Sequence, residues 1–465
     1  MKYNTRFEEF ESIIEEMIYV YRHDNRPWLI GYSGGKDSSL LVSLVMETVL
    51  RLPVNERTKK IFIITSDTGV ENPIVKKYMH ASSEKINTFS KNISGNIHAE
   101  IIYPDVSQSF WSLVIGLGYP TPEPPGFRWC TERLKILPMN KYTNTIIDQY
   151  GEVILLLGVR KAESSTRKRS ISAREIEGKL LVPHNDIPKA YIYNPLTELP
   201  NELVWEYLLK NEGISSWGVD MKYLFSLYQG EDLGEEQSVI GQIDKTKIPI
   251  TGNSRFGCWC CTIVKVDKSL QKFIDSGSTE LEPLREFRDW LVSIRQNPEF
   301  RDNKRRNGKV YQKANGDYGF GPFKLSARYE ILKRLLILQR DTGFELITEE
   351  ELKCIDTMWD LEGDLSRRAL VDIYFEVFGT KLPWDEYKEP LYDSEIIDMI
   401  KNSSDQAEIP FELITKLVVM INSNKYMAKS TKLKKEFDRL LNQEWIHFET
   451  VKAGLTDEDK KNNSM

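Results

Sequence analysis

The chain has 465 residues, 40% hydrophobic and 28% charged, the composition of a folded protein long enough for two or three domains. Its formal net charge of −6 excludes a general polyanion binder, so any nucleic-acid contact must come from a local basic patch. No run approaches the roughly 18 apolar residues a membrane helix needs, and the acidic start MKYNTRFEEFESIIEEM has no apolar leader core, so a cytoplasmic protein without a membrane partner is expected. Five cysteines in so long a chain point to metal or redox work rather than to a disulfide framework.

Residues 1–22 carry an amphipathic helical pattern that leads into WLIGY (28–32), a short apolar run of buried-strand type. SGGKDS (33–38) follows, and then Leu40, Leu41, Leu44, Val45 and Val49 fall on one helical face. Between strand and helix, Gly34 and Gly35 can take backbone angles that other residues avoid, letting several N–H groups converge on one anion. The helix N-terminus adds partial positive charge, Ser33 and Ser38 add hydroxyls, and Lys36 adds a full charge. This is not the G-x-x-x-x-G-K-[ST] phosphate loop: counted from Gly31, Lys36 stands where the second glycine would fall, and Asp37 follows.

KIFIITSD (60–67), HAEIIYP (98–104), EVILLLGVR (152–160) and AYIYNPL (190–196) supply four further strands. Helix-like NPIVKKYMHASSEKINTF separates the first two of these, and TERLKILPMNKYTNTIIDQYG precedes the third, with a break expected at Pro138. The alternation predicts an α/β fold, a doubly wound parallel sheet over about 25–215, with ligands at the carboxyl ends of its strands. Ser33, Asp67 and Arg160 all fall at such ends. From about 270 onward strand signals fade and helical patterns take over. The expected organisation is an α/β domain over 1–215, a cysteine-bearing segment over 216–275 packing on it, and a mainly helical region over 276–465.

SGGKDS (33–38), SDTGVENP (66–73) and LGVRKAESSTR (157–167), in that order on one strand–helix ladder, resemble the PP-loop ATP pyrophosphatases, and within them the phosphoadenylyl-sulfate reductase branch. YNPLTELPNELVWEYL (193–208) resembles a further segment of that family. The resemblance implies that Ser33, Gly34, Gly35, Lys36, Asp37 and Ser38 contact phosphate and Mg²⁺ of ATP. It also implies that Asp67 and Thr68 lie near the nucleotide, that Arg160 and Arg167 bind the anionic ligand, and that Lys36, Asp37 and Arg160 serve catalysis. FRWCTERLKILPMNKY (127–142), RKAESSTRKRS (160–170) and RFGCWCCTIVKVDKS (255–269) together resemble DndC-type proteins of DNA phosphorothioation, with SspD-type proteins as near neighbours. That likeness implies ATP cleavage to AMP and pyrophosphate, adenylation of a DNA backbone phosphate, and replacement of a non-bridging oxygen by sulfur. The sulfur would come from a cysteine desulfurase, alongside other phosphorothioation proteins.

Cys258 and Cys261 form C-x-x-C with Cys260 between them, and Cys130 lies far upstream; thiolates two residues apart can face one metal or cluster. In the reductase relatives a tandem cysteine pair and a later C-x-x-C hold a [4Fe–4S] cluster. Trp129 stands where one of the pair would be, so Cys130, Cys258 and Cys261 match, and either Cys260 supplies a fourth ligand or one iron is open. Structural zinc at these cysteines is the alternative. Cys354, inside an amphipathic helix, reads as packing, and His80, His98 and His184 as isolated structural residues.

Two basic stretches interrupt the acidic average. Seven Lys/Arg against three Glu lie between Arg160 and Lys179, and Arg167, Lys168 and Arg169 there are the expected contacts to a DNA backbone. Residues 300–313 carry six Lys/Arg against one Asp. Two other activities share these motifs. A sulfonucleotide reductase would need a cysteine near its C-terminal end, and no cysteine follows Cys354. A tRNA thiolase differs in the acceptor alone.

Overall fold

The computed structural model describes residues 4–124, 127–162, 179–228, 257–312, 318–423 and 430–443. Helix α1 (Asn4–His23) leads into β1 (Trp28–Gly31), and the sheet continues with β2 (Ile61–Ser66), β3 (Ile97–Ile102), β4 (Val153–Leu156), β5 (Val182–Pro183) and β6 (Ala190–Tyr193). Their spatial order is β3-β2-β1-β4-β6-β5. The pairs β3–β2, β2–β1, β1–β4 and β4–β6 are parallel, with Trp28 level with both Ile61 and Ile154. The chain thus winds outward from β1 to β3 and returns on the other side of β1 with β4. The gap above the carboxyl ends of β1 and β4 is the switch point where such sheets bind ligands.

Burial explains the winding. The four residues of β4 are all buried, as are five of the six in β2, so each strand needs cover on both faces. Trp28, Ile30, Ile63 and Leu156 face one core, shared with α1, α2 (Lys36–Arg51) and α5 (Asn201–Leu208). The alternate residues Leu29, Phe62, Ile64 and Leu155 face the other, closed by Met139, Ile146 and Ile147 of α4 (Leu137–Tyr150). The period of two along each strand produces both layers. A parallel-dominant sheet with helices on both faces, joined to a helical C-terminal region, is the fold class expected from the sequence.

Two local expectations fail. The sheet has a sixth strand, β5, which pairs antiparallel with β6 (Val182↔Ile192); two residues, one a proline, are too short to show a strand period. The helix through Pro138 does not break. A π-helical turn, Thr131–Ile136, runs directly into α4, where Pro138 occupies a first-turn position. Pro138 stands just past the junction of the two helix types, where the hydrogen-bond spacing changes and a missing N–H interrupts the ladder least.

The chain divides into two compact units, and the boundaries differ from those expected. The first comprises Met1–Asp105 and Pro122–Arg285, so the cysteine segment belongs with the sheet. The second comprises Val106–Thr121 and Glu286–Met465. The stretch 106–121, part of the expected α/β domain, joins the second unit because its apolar side chains find their partners there. Trp111 Nε1 donates to Leu346 O at 2.8 Å, and Trp359 Nε1 donates to Ile115 O at 2.8 Å. This unit is otherwise mainly helical, with α9 (Leu325–Thr342), α10 (Glu349–Glu362), α11 (Ala369–Phe378), α12 (Ser394–Gln406), α13 (Phe411–Ser423) and α14 (Ser430–Leu441), and it carries one small antiparallel pair, β7 (Tyr311–Gln312) with β8 (Tyr318–Gly319); α6 (Met221–Tyr228) and α7 (Lys268–Asp275) lie in the first unit, and α8 (Glu282–Ile294) spans the boundary.

The basic stretch 300–313 divides where it is described: Arg305, Arg306 and Lys309 are exposed, while Arg301 and Lys304 are buried. Arg301 is buried and donates from Nε to Gly321 O at 2.8 Å, Lys304 is buried beside Glu412 at 3.7 Å, and Arg306 donates to Glu362 Oε1 at 2.7 Å. Cys354 sits half-buried on α10, and no helix among the described residues is long and apolar enough to cross a membrane.

Candidate nucleotide and cysteine site

The SGGKDS loop leaves β1 and turns at Gly34, whose φ of +77° is open to glycine at little cost. A Cβ there would also stand 3.1 Å from Met79 Cγ on α3 (Pro73–Asn92), so any side chain would require Met79 to give way as well. Gly35 then caps α2 in an extended conformation with no side chain accepting from the first turn. No cap side chain therefore competes with an anion at the first turn of α2, the arrangement expected from the sequence. Ser33 and Ser38 stand with their hydroxyl oxygens 3.1 Å apart, and Ser38 Oγ donates to Gly35 O at 3.0 Å, holding the loop closed on itself.

Beneath the loop lies a chain of buried charges. Lys36 and Asp37 are 3% and 2% exposed, with Lys36 Nζ 3.2 Å from Asp37 Oδ2. Arg160 is fully buried and donates from Nε to Asp37 Oδ1 at 2.7 Å and from Nη1 to Leu199 O at 3.1 Å. Buried charges are tolerated when paired and hydrogen-bonded, and this group meets both conditions. Arg160 thus stands behind Asp37 and fixes it. Gly158 allows the approach: a Cβ on it would meet Asp37 O at 3.1 Å.

Asp67, at the end of β2, is fully buried; its Oδ1 accepts from Gly69 N at 2.8 Å and its Oδ2 lies 3.1 Å from His80 Nε2 and 3.9 Å from Lys76 Nζ. His80 is therefore not isolated. It belongs to the wall of the site, a role hidden by its separation of thirteen positions from Asp67. Thr68 turns the other way, donating from Oγ1 to Glu71 Oε1 at 2.9 Å, with Cys258 Sγ at 3.6 Å. Glu71 and Cys258 form an antiparallel bridge, and Trp259 N donates to Val70 O at 3.0 Å. The turn after β2 and the cysteine segment are thus joined by backbone as well as by side chains.

Cys130, Cys258 and Cys261 are half-buried and Cys260 is buried. Burial foremost pushes the thiols of Cys130, Cys258 and Cys260 up; the charge of neighbouring cysteines comes next at Cys130 and Cys260, and that of Glu71 at Cys258, with Cys130 pushed up to about 11. The cation that answers them is Lys135, on the π-helical turn that follows Cys130. It lies 3.7 Å from Glu71, whose charge foremost, with the three nearby cysteines, raises its own pKa. Neither Glu71 nor Lys135 was singled out from sequence. Among the described residues no three Cys, His, Asp or Glu side chains converge closely enough to enclose one metal ion. The donor set nevertheless fits a thiolate-held group in its chemistry: four sulfurs in a shielded place with one lysine as counter-charge. Arg167, Lys168 and Arg169 lie outside the described residues.

A glycine-turned anion loop at the switch point of a parallel sheet, floored by a buried Lys–Asp–Arg chain, defines a PP-loop nucleotide-binding domain. Residues 27–214 match the phosphoadenosine phosphosulfate reductase domain family, so this part of the chain is a PP-loop domain of that reductase-like kind. No curated protein matches the chain. Among solved structures it is similar to phosphoadenylyl-sulfate reductase from Candida auris in its phosphate complex, at 12% identity and a TM-score of 0.30, over 48% of this chain and 87% of that one. It is also similar to the U34-tRNA thiolase NcsA from Methanococcus maripaludis with its [4Fe–4S] cluster, at 14% identity and a TM-score of 0.26, over 48% and 82%. NMN synthetase from Francisella tularensis is a third, at 14% identity and a TM-score of 0.28, over 52% and 80%.

Proposed function

We propose that this chain is a cytoplasmic ATP pyrophosphatase and sulfurtransferase that activates a DNA backbone phosphate for exchange of a non-bridging oxygen by sulfur. The observation that carries the reading is the joining of two chemistries in one unit. The buried Lys36–Asp37–Arg160 chain lies under an anion loop, and the turn after β2 runs from Asp67 straight to Cys258. The choice of DNA as acceptor rests on the sequence resemblance to DndC-type proteins.

In this mechanism the loop N–H groups and Lys36 hold the β,γ-phosphates of ATP. Mg²⁺ carried with the nucleotide offsets the charge that builds on pyrophosphate. An oxygen of the acceptor phosphate attacks the α-phosphorus, the α–β bond breaks, and pyrophosphate stays in the loop. The adenylated phosphate now has AMP as a good leaving group. A sulfur nucleophile, supplied from a cysteine desulfurase with the help of other phosphorothioation proteins, forms the S–P bond as AMP departs. Arg160 keeps Asp37 aimed. A [4Fe–4S] cluster, where present, would be held by Cys130, Cys258 and Cys261, with either Cys260 as a fourth ligand or one iron left open, and would supply sulfur-handling chemistry.

The test is product analysis with labelled ATP and either duplex DNA or tRNA. AMP and pyrophosphate formed in response to DNA, and lost in Lys36→Ala, support the reading. ADP and phosphate as products overturn the pyrophosphatase, and a response to tRNA alone transfers the reading to a tRNA thiolase.

A further inference from the structure

Glu71 is 5% exposed and has three separate engagements. Its backbone bridges Cys258, its Oε1 accepts from Thr68, and its carboxylate lies 3.7 Å from the ammonium of Lys135, the cation whose charge reaches Cys130, Cys258 and Cys261. A carboxylate so shielded, held at both ends, has little freedom to adapt when one partner changes. Thr68 stands next to Asp67 in the chain, and Thr68 Oγ1 is shared between Glu71 and the sulfur of Cys258. Any change at that sulfur, whether charge, persulfide or metal, acts on Thr68 directly and on Glu71 through Lys135. Thr68 and Glu71 both lie in the turn that follows β2, one strand away from the strand that leads into the SGGKDS loop.

We propose that Glu71 is a positioning residue that transmits the state of Cys258 to the nucleotide loop through Thr68. This rests on the reading of residues 33–38 and 67–68 as the nucleotide site. It deepens that reading by making occupancy of the sulfur site and of the ATP site interdependent, so that ATP is held tightest when the cysteines are ready. Linkage requires the effect to be reciprocal, and couplings of this kind run from about 5-fold to about 150-fold in affinity.

A double-mutant cycle tests it, with the full-length protein and α,β-methylene-ATP plus Mg²⁺ as the probe, titrated by calorimetry under anaerobic conditions. Cys258→Ser should weaken binding of the probe at least about 5-fold. In a Glu71→Gln background the same change should alter binding less than about 2-fold, because the transmitting charge is gone. The ratio of the two effects is the readout, so a general loss of affinity in Glu71→Gln cancels. Glu71→Asp should restore part of the coupling, which a merely structural role would not predict. Cys258→Ser without effect, or with equal effect in both backgrounds, overturns the proposal while leaving the nucleotide site standing. A parent protein that fails to bind the probe overturns both.

Discussion

Replacing Arg160 by methionine removes the guanidinium but keeps an unbranched side chain of similar length in a fully buried place. Asp37 would lose its 2.7 Å partner and keep Lys36 at 3.2 Å, and the carbonyl of Leu199 would lose its donor. Taking one partner from a buried pair costs about 3–5 kcal/mol. The surviving contact with Lys36 places this case near the lower end, about 3 kcal/mol. For a unit of this size that lowers the melting temperature by about 6–12 °C. Circular dichroism melts would measure the change. Adding 1 M KCl should leave the difference between parent and variant in place, since the pair is shielded from salt. Arg160→Lys should recover part of the loss, because one ammonium cannot serve both Asp37 and Leu199. The parent should also gain stability from Mg²⁺ and α,β-methylene-ATP by mass action, and Arg160→Met should lose most of that gain. A melting temperature within 2 °C of the parent would refute the account of Arg160 as the support of Asp37.

Gly34→Ala forces a left-handed conformation on a residue with a Cβ and drives it toward Met79; a loss of about 1–2 kcal/mol in denaturant unfolding and of nucleotide binding in calorimetry is expected. Serine at Cys130, Cys258 or Cys261 should remove bound iron and sulfide from anaerobically purified protein, while Cys354→Ser should retain both, as elemental analysis would show. Burial lifts the carboxyl of Asp360, beside Lys388 at 3.2 Å, to about 6. The folded state then holds the extra proton between the ordinary carboxylate range and pH 6, so this group's contribution to stability falls as pH rises through that window. Chemical unfolding should show a slope there that Asp360→Asn flattens. Charge reversal at Arg167, Lys168 and Arg169 should weaken DNA binding and reduce its dependence on salt, measured by fluorescence anisotropy across a salt series.

The sheet was legible because its inner strands β1, β2 and β4 are buried on both faces and so appear as unbroken apolar runs. The anion loop was legible because adjacent glycines, a lysine and a following helix leave few other uses. Arg160 was found by its place after a strand, but not its manner of acting: nothing local to LGVR says that Asp37, over a hundred residues earlier, will receive its guanidinium. Glu71, Lys135 and His80 escaped for the same reason. Each is an ordinary charged or polar residue on a helix or turn until the fold brings a partner to it. The stretch 106–121 escaped differently. Its side chains pack in short 3₁₀ and π turns, Val106–Gln108 and Ser112–Gly116, which leave no 3.6-residue period in the sequence.

That same stretch sets a timetable for the ribosome. Trp111, Leu113, Val114 and Ile115 leave the exit tunnel early, and the backbone acceptor for Trp111 at Leu346 is made roughly 220 residues after the stretch ends. At about 5–20 residues per second, these apolar side chains wait for tens of seconds without their native cover. A nascent chain paused or truncated before Leu346 therefore displays an adhesive aromatic loop, a binding site for holding chaperones and a nucleus for aggregation. Expression vectors that stop after the sheet unit should remove residues 106–121 and join Asp105 to Pro122 through a short polar linker.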